Sequence, residues 1–250
     1  MLWLAMAAMI TPVQAGEGGF DHQHTALAAF LKGAVSARGV DYGTLATRRD
    51  TLERYLASVR TAEIGDWSAA EKLALYVNAY NAYTLKLMLD EGPPESILNL
   101  DGGKVWETRR FPVAGESLTL NQLEHERARK LADGRVHAVV NCASKGCPPL
   151  PPTPLTPSGQ SAQLDRATRT WASTNAFTLT GDTVLLSRIF DWYADDFVKA
   201  GNADLAGVDG KAEHALHFLA RYVDDPTKAR LLSGTLKAGW QDYDWTLNQR

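Results

Sequence analysis

The feature that most constrains this fold is a capping box. Ser68 is followed three residues later by Glu71, the pattern in which each side chain satisfies a backbone N–H of the other at a helix start. The helix it opens is expected to run to about Leu89 and to stop before Gly92-Pro93-Pro94, which cannot continue it. The elements around it are shorter. Residues 22–38 carry Leu27, Phe30, Leu31 and Val35 at helical spacing, with Gly39 as the stop. Leu52, Tyr55, Leu56 and Val59 make one stripe of an amphipathic helix over 45–59. Residues 109–113 and 117–120 flank Ala114-Gly115-Glu116, a plausible hairpin. A second hairpin brackets Gly181-Asp182, with arms at 177–180 and 183–187. Between the hairpins the pattern predicts a helix over 120–131 and a Val-rich buried strand over 135–141, bounded by Gly134. An irregular loop with six prolines over 148–157 and a helix over 164–171 follow. Short helices over 190–198 and 211–222 and an irregular or extended tail over 241–248 complete the chain. Helices and antiparallel pairs are interspersed without regular βαβ units. The expected class is therefore α+β: a helix-rich single domain over residues 16–250 with short antiparallel strands and hairpins.

Composition enters where it excludes partners. The 250 residues are 45% hydrophobic with a net charge of -3, which suits a packed core and argues against a disordered chain. No basic run occurs, so no nucleic-acid partner is expected. Seven Trp and eight Tyr exceed what most chains of this length carry; most belong to the core, and a minority can line a pocket. Residues 1–10 are apolar and uncharged but too short to span a bilayer. Thr11 and Pro12 break the run, and Val13-Gln14-Ala15 offers small residues where a signal peptidase reads. Residues 1–15 are therefore expected to be a signal peptide cut after Ala15, placing the protein in the periplasm or outside the cell. A buried N-terminal helix is the alternative, and the lack of Lys or Arg near Met1 leaves an upstream start open. No Cys near Ala15 invites a lipid anchor, and no later run reaches the roughly 18 apolar residues of a membrane span. No transmembrane segment is expected in the mature protein.

Reactive residue types concentrate in His137-Ala-Val-Val-Asn141-Cys142-Ala-Ser144-Lys-Gly-Cys147-Pro148, where a strand is expected to lead into a loop. Three readings stand. In an oxidising compartment Cys142 and Cys147, the only cysteines, can close a small disulfide loop, with Gly146 helping the turn. Alternatively Cys142 is a nucleophile with a histidine base and a carboxylate orienter. Strand geometry opposes a simple His137–Cys142 pair, since the two point to opposite faces and lie roughly 16 Å apart along an extended chain. They meet only if the chain turns sharply at Asn141; otherwise His125 is the nearest base. Third, His125, His137, Cys142 and Cys147 offer nitrogen and sulfur ligands, but their spacing matches no familiar zinc module, so neither metal nor cofactor is expected. Glu124 either turns inward to meet His137, as a buried carboxylate must find a partner, or belongs to a solvated helix face. Asn78 and Asn81 share a helix face and either satisfy the backbone of a neighbouring loop or bind a ligand. Asp191-Trp192-Tyr193-Ala-Asp195-Asp196-Phe197 mixes rings and acids, as carbohydrate sites and helix N-termini both do.

Several of these residues fall into ordered motifs: Tyr76-Val-Asn78-Ala-Tyr80-Asn81-Ala, Leu120-Asn-Gln-Leu-Glu124-His125, the segment from His137 to Pro148, Ser187-Arg-Ile-Phe190-Asp191-Trp192-Tyr193, and Tyr243-Asp244-Trp245-Thr-Leu-Asn248. In that order they resemble the domain of unknown function 547 family, from about Val40-Asp41-Tyr42 to Asn248. Tyr76 departs from the pattern, where Trp or Phe is usual. The resemblance implies no activity, and it implies export for bacterial members similar to this chain. Plant members appear inside cells, where disulfides are rare, which weakens a purely structural role for the two cysteines. It also marks Glu124 and His137 as motif positions. The leading expectation is an exported thiol-dependent hydrolase or transferase acting on acyl or amide groups. Cys142 is its nucleophile, His137 or His125 its base and Glu124 the orienter. Asn78, Asn81 or the backbone after Cys142 face an oxyanion, and Ser144, Asp191 and Tyr193 are further binding residues. The rival is a non-enzymatic periplasmic binding or envelope-interaction protein with a Cys142–Cys147 disulfide. The partner in either case is an unidentified small molecule or envelope component.

Overall fold

The capping box forms as the residues require. Ser68 Oγ accepts from the Glu71 N–H at 3.3 Å, and Glu71 Oε2 accepts from the Ser68 N–H at 2.8 Å. In the computed structural model, which describes residues 19–198 and 209–250, the helix so opened spans Ala69–Asp90. From residue 73 to 89 every side chain except Lys86 is buried. A helix apolar on all sides belongs in the middle of a core, and residues 49–60 and 122–131 pack against this one. The expected signal peptide and its cut after Ala15 lie outside the described residues.

In chain order, α1 (Thr25–Leu31), β1 (Val35–Ser36), β2 (Gly39–Val40), α2 (Tyr42–Ala46) and α3 (Arg49–Arg60) precede this central helix, α4. Then come α5 (Val105–Thr108), β3 (Arg110–Val113), β4 (Glu116–Thr119), a π-helix (Gln122–Ala128), α6 (Arg129–Leu131) and a 3-10 helix (Gly134–Ala138). After the proline loop follow α7 (Gln160–Ala172), β5 (Phe177–Thr180), β6 (Thr183–Leu186), α8 (Arg188–Trp192) and α9 (Ala194–Phe197). The chain closes with α10 (Gly210–Leu219), α11 (Asp225–Leu231) and β7 (Lys237–Trp240). The strands make two antiparallel pairs, β1–β2 and β3–β4, and a three-stranded sheet in which β5–β6 is antiparallel and β6–β7 parallel. The expected α+β class holds, and both hairpins turn where expected.

The departures have local causes. The helix expected over 22–38 covers only α1, because Gly33 sits at φ 72°, where glycine is at home and a helix is not. The chain then folds back through β1 and β2, so Gly39 lies in a strand instead of ending a helix. The helix over 45–59 is two pieces, α2 and α3. Asp41 caps the first, accepting from the Thr44 N–H at 2.8 Å. At the break, the Arg48 guanidinium reaches the carbonyls of Phe30 and Lys32 at the end of α1, where a cation suits the helix C-terminus. The largest correction concerns 135–141, which is no strand. Asp133 caps a 3-10 turn by accepting from the Arg135 N–H at 3.0 Å, and Val136, Val139 and Val140 are buried from it. A short buried apolar run reads the same whether helix or strand.

Two clusters of apolar side chains share the interior. One is built around α1, α3 and α4 and extends through Leu120, Leu123 and Val139. The other gathers Trp171, Phe190, Phe197, Phe218 and their neighbours, with Trp171 and Phe190 stacked at 4.6 Å and 8°. His137 lies where they meet: Val136 belongs to the first cluster and Ala138 to the second.

Candidate active site

A cleft of about 320 Å³ opens at this seam. On one side the π-helix presents Glu124 and His125, and the loop after the 3-10 helix presents Cys142 and Cys147. On the other side Tyr193 and Trp192 follow from α8, and Tyr243 and Trp245 come from the tail. A π-helix is rare and often marks a functional position. Here it faces the cleft.

The loop bearing Cys142 is held by buried asparagines. The Asn81 side chain donates to the Val139 carbonyl at 2.7 Å and accepts from the Asn141 N–H at 3.0 Å. Asn141 Oδ1 accepts from the Ala143 N–H and from Asn248 Nδ2, both at 2.9 Å, while Asn141 Nδ2 donates to the Pro148 carbonyl. Ala143 takes φ 63°, a conformation few non-glycine residues adopt and one that surrounding contacts must hold. The tail clamps the outside of the loop: the Lys145 and Gly146 N–H groups donate to the Thr246 and Asp244 carbonyls, each at 2.8 Å. Gly146 is needed for closeness, since a Cβ there would meet the Tyr243 ring at 3.0 Å.

The sharp turn after Asn141 places the Cys142 sulfur among donors. Cys147 Sγ lies 2.8 Å away, Ser144 Oγ 3.1 Å and the Tyr243 hydroxyl 3.2 Å. The Ser144 and Tyr243 hydroxyls are themselves 3.0 Å apart, so one polar network holds both against the sulfur. The bond from Cys147 is the main influence that brings Cys142 down to about 7, burial opposing it and Ser144 and Tyr243 assisting. Burial pushes the Cys147 thiol the other way, well above the ordinary thiol range. Both cysteines are free thiols, so the disulfide weighed from the sequence is not formed in this structure.

His137, buried, pairs its Nε2 with Asp196 Oδ2 at 2.7 Å. The carboxylate accepts, so Nε2 carries the proton and Nδ1 of the neutral ring is the basic nitrogen. Burial alone would favour a protonated Asp196, but the bonds from His137 and Arg129 Nε (2.7 Å) outweigh it and hold the carboxyl well below the usual range. Tyr193 stacks on His137 with centroids 4.4 Å apart. Arg129 also donates to His125 Nδ1, and burial lowers the His125 pKa, so this ring is neutral. Gly134 permits the His137–Asp196 bond: a Cβ there would come within 2.8 Å of the Phe197 ring and 2.9 Å of the Asp196 carbonyl.

The structure thus brings Cys142, His137, His125, Glu124 and Tyr193 to one cleft and moves three expected residues elsewhere. Asn78 exchanges two hydrogen bonds with the Leu155 backbone, at 2.8 and 2.9 Å, and Asn81 holds the loop as above, so neither amide faces an oxyanion. Asp191 pairs with Lys211 and Arg188 at the surface. Ser144 reaches the Cys142 sulfur from behind. The orienter assignment also changes, since Asp196 and not Glu124 bonds His137. A backbone oxyanion hole after Cys142 loses the Ala143 N–H to Asn141. The residues missed from the sequence are Asp196, Tyr243, Asn121, Trp106 and Trp245. Tyr243 and Trp245 stand in an ordered motif, the only signal that pointed to them; Asp196 was visible only as one acid among three.

The segment that carries Glu124, His125, His137 and both cysteines can now be compared with known families. Residues 64–171 match the family model "Protein of unknown function, DUF547". The DUF547 match supports the family to which the ordered motifs point, and it covers one side of the cleft. Tyr193, Asp196 and the tail lie beyond the DUF547 segment. Comparison with curated proteins gives no match, and neither does comparison with solved structures. Among the described residues no three His, Cys, Asp or Glu side chains come together to hold a metal ion. No helix among them is long and apolar enough to cross a membrane.

Proposed function

We propose that the protein is an exported thiol-dependent hydrolase or transferase acting on acyl or amide groups. The observation that carries this reading is that a thiol lowered to about 7 lines the same cleft as a histidine oriented by a carboxylate at 2.7 Å. These are the parts that nucleophilic thiol catalysis needs. Cys142 gives its proton to His137 Nδ1 and its sulfur attacks the carbonyl carbon. As the S–C bond forms, the carbonyl oxygen takes the negative charge. Asn121 lines the cleft and makes no side-chain hydrogen bond with the other described residues, so its amide is the donor offered to that oxygen. Collapse breaks the C–O or C–N bond, and the imidazolium protonates the leaving group. Water or a second nucleophile then releases the acyl group from the thioester.

The test is acylation by p-nitrophenyl acetate under reducing conditions, with intact-mass and peptide analysis. The reading expects one acetyl group on Cys142, released over time, and none in Cys142→Ala. Acetylation elsewhere, or equal turnover by Cys142→Ala, overturns it. Export is tested separately: the secreted protein should begin at or near Gly16, and one beginning at Met1 contradicts it.

The contact between the two sulfurs, 2.8 Å, favours a second reading, a binding protein that carries a disulfide here once exported. Thiol titration of the exported protein without reductant separates the two. Two free thiols exclude the disulfide form; no free thiols, together with no acylation after reduction, supports it.

A further inference from the structure

We propose that the cleft recognises an organic cation, a primary or quaternary ammonium group, with Glu124 as its counter-charge and tryptophan rings as its walls. Glu124 is 8% exposed and lines the cleft, yet its carboxylate accepts no hydrogen bond from any described residue. The residue is nine-tenths buried and its carboxylate has no protein donor, so its counter-charge is left to whatever fills the cleft. Asp196, which the sequence reading did not place at the site, occupies the role beside His137, so Glu124 is not needed there. The cation on the same helix, Arg129, bonds Asp196 through Nε and His125 through Nη1 and lies over the Tyr193 ring, and no hydrogen bond joins it to Glu124. His125 accepts from Arg129 and is neutral. Glu107, at the rim, adds a second carboxylate. The uncommitted charge of the cleft is therefore negative.

The walls suit the same ligand. Trp106 and Trp245 lie 5.9 Å apart, and Trp192 and Trp245 6.0 Å apart and nearly parallel at 23°. Trp192 is 47% exposed, unusual for a large ring that is not meant to be covered. Aromatic faces attract cations, tryptophan most strongly, and quaternary ammonium groups are bound against such rings. Rings alone would also suit a sugar; the unpaired Glu124 carboxylate at the cleft decides for a cation. This inference rests on the reading of the cleft as a substrate site, and it deepens that reading: the ammonium is a recognition group on the acyl donor or acceptor, not the reacting atom.

The test measures binding calorimetrically with choline and butylammonium against their uncharged carbon isosteres, in the wild type and in Cys142→Ser. The ammonium probes should bind at least about tenfold more tightly than their isosteres. Cys142→Ser should bind like the wild type, so a failure of thiol chemistry leaves this result standing. Glu124→Gln, with folding checked by its melting curve, should erase the difference between charged and neutral probes. Trp192→Ala, at a half-exposed position and with folding checked the same way, should weaken all cation binding several-fold. Equal binding of charged and neutral probes, no binding of either, or an unchanged preference in Glu124→Gln overturns the proposal.

Discussion

The two sides of the cleft are built on different terms. The side from the DUF547 segment brings the reactive groups: Cys142, His137, Glu124 and His125. It also holds its own loop rigid through Asn81 and Asn141. The opposite side brings little that reacts. It supplies Asp196 to orient His137, Tyr193 to stack on it and Tyr243 to donate to the sulfur. Reactivity is thus local in sequence, whereas its tuning comes from about 50 to 100 residues further on. The matched segment alone does not complete the cleft, which lies at the seam between two apolar clusters, a common place for ligand sites.

The comparison can be broken from the second side. Asp196→Asn should lower the rate of acyl transfer by about a hundredfold or more, the usual scale for a general base that loses its orientation. Melting temperature should fall too, since the Arg129 pair is lost, and the loss of rate should appear in kcat more than in KM. An unchanged rate would make the pair purely structural.

A control lies away from both sides. His24 is buried with Nδ1 against the Tyr55 hydroxyl at 2.9 Å, and burial takes its pKa down to about 4. Below pH 6.5 the unfolded chain takes up a proton that the folded protein refuses. Stability from this site is therefore full above about pH 6.5 and is lost as pH falls toward 4, by about 3 kcal/mol in all. In urea melts of the wild type and His24→Asn, which tolerates the left-handed backbone at φ 51°, the difference in stability should change with pH in this interval and stay constant above it. Equal acid sensitivity would refute the assignment.

Next in size is Gly134→Ala. Its Cβ would press on Phe197 and the Asp196 carbonyl, costing about 1–3 kcal/mol of stability. It should also separate His137 from Asp196, so activity should fall along with the melting temperature. Stability lost without activity lost would show that the two sides need no close register.

Much of this was legible in the sequence, and the limits follow the same division. The capping box, both hairpins and the reactive cluster are local patterns, and each is where the residues indicate. The strand premise behind the objection to a His137–Cys142 pair does not hold, because 134–138 coils instead of extending, a choice that buried valines leave open. Asp196 could not be assigned, since its partner His137 is 59 residues away and two other acids neighbour it. The left-handed Ala143 and the asparagine lattice behind the loop depend on Asn248, which is distant in the chain and adjacent in space. Asn78 and Asn81 were read correctly as residues that satisfy a loop's backbone, and wrongly as oxyanion donors.

The smallest effect bears on the tuning of the sulfur. Tyr243→Phe removes one hydrogen bond, worth about 0.5–1.5 kcal/mol, and should move the ionisation of Cys142 modestly upward. A downward shift would exclude the phenol as donor.

The most direct test of the central claim, an activated thiol at a shared cleft, is the pH dependence of iodoacetamide alkylation in reduced protein, assigned to Cys142 by peptide mass. The account predicts a rate that rises with a midpoint near 7 while Cys147 stays unmodified through neutral pH. A midpoint at or above that of an ordinary thiol, about 8.5, or preferential alkylation of Cys147, would contradict it.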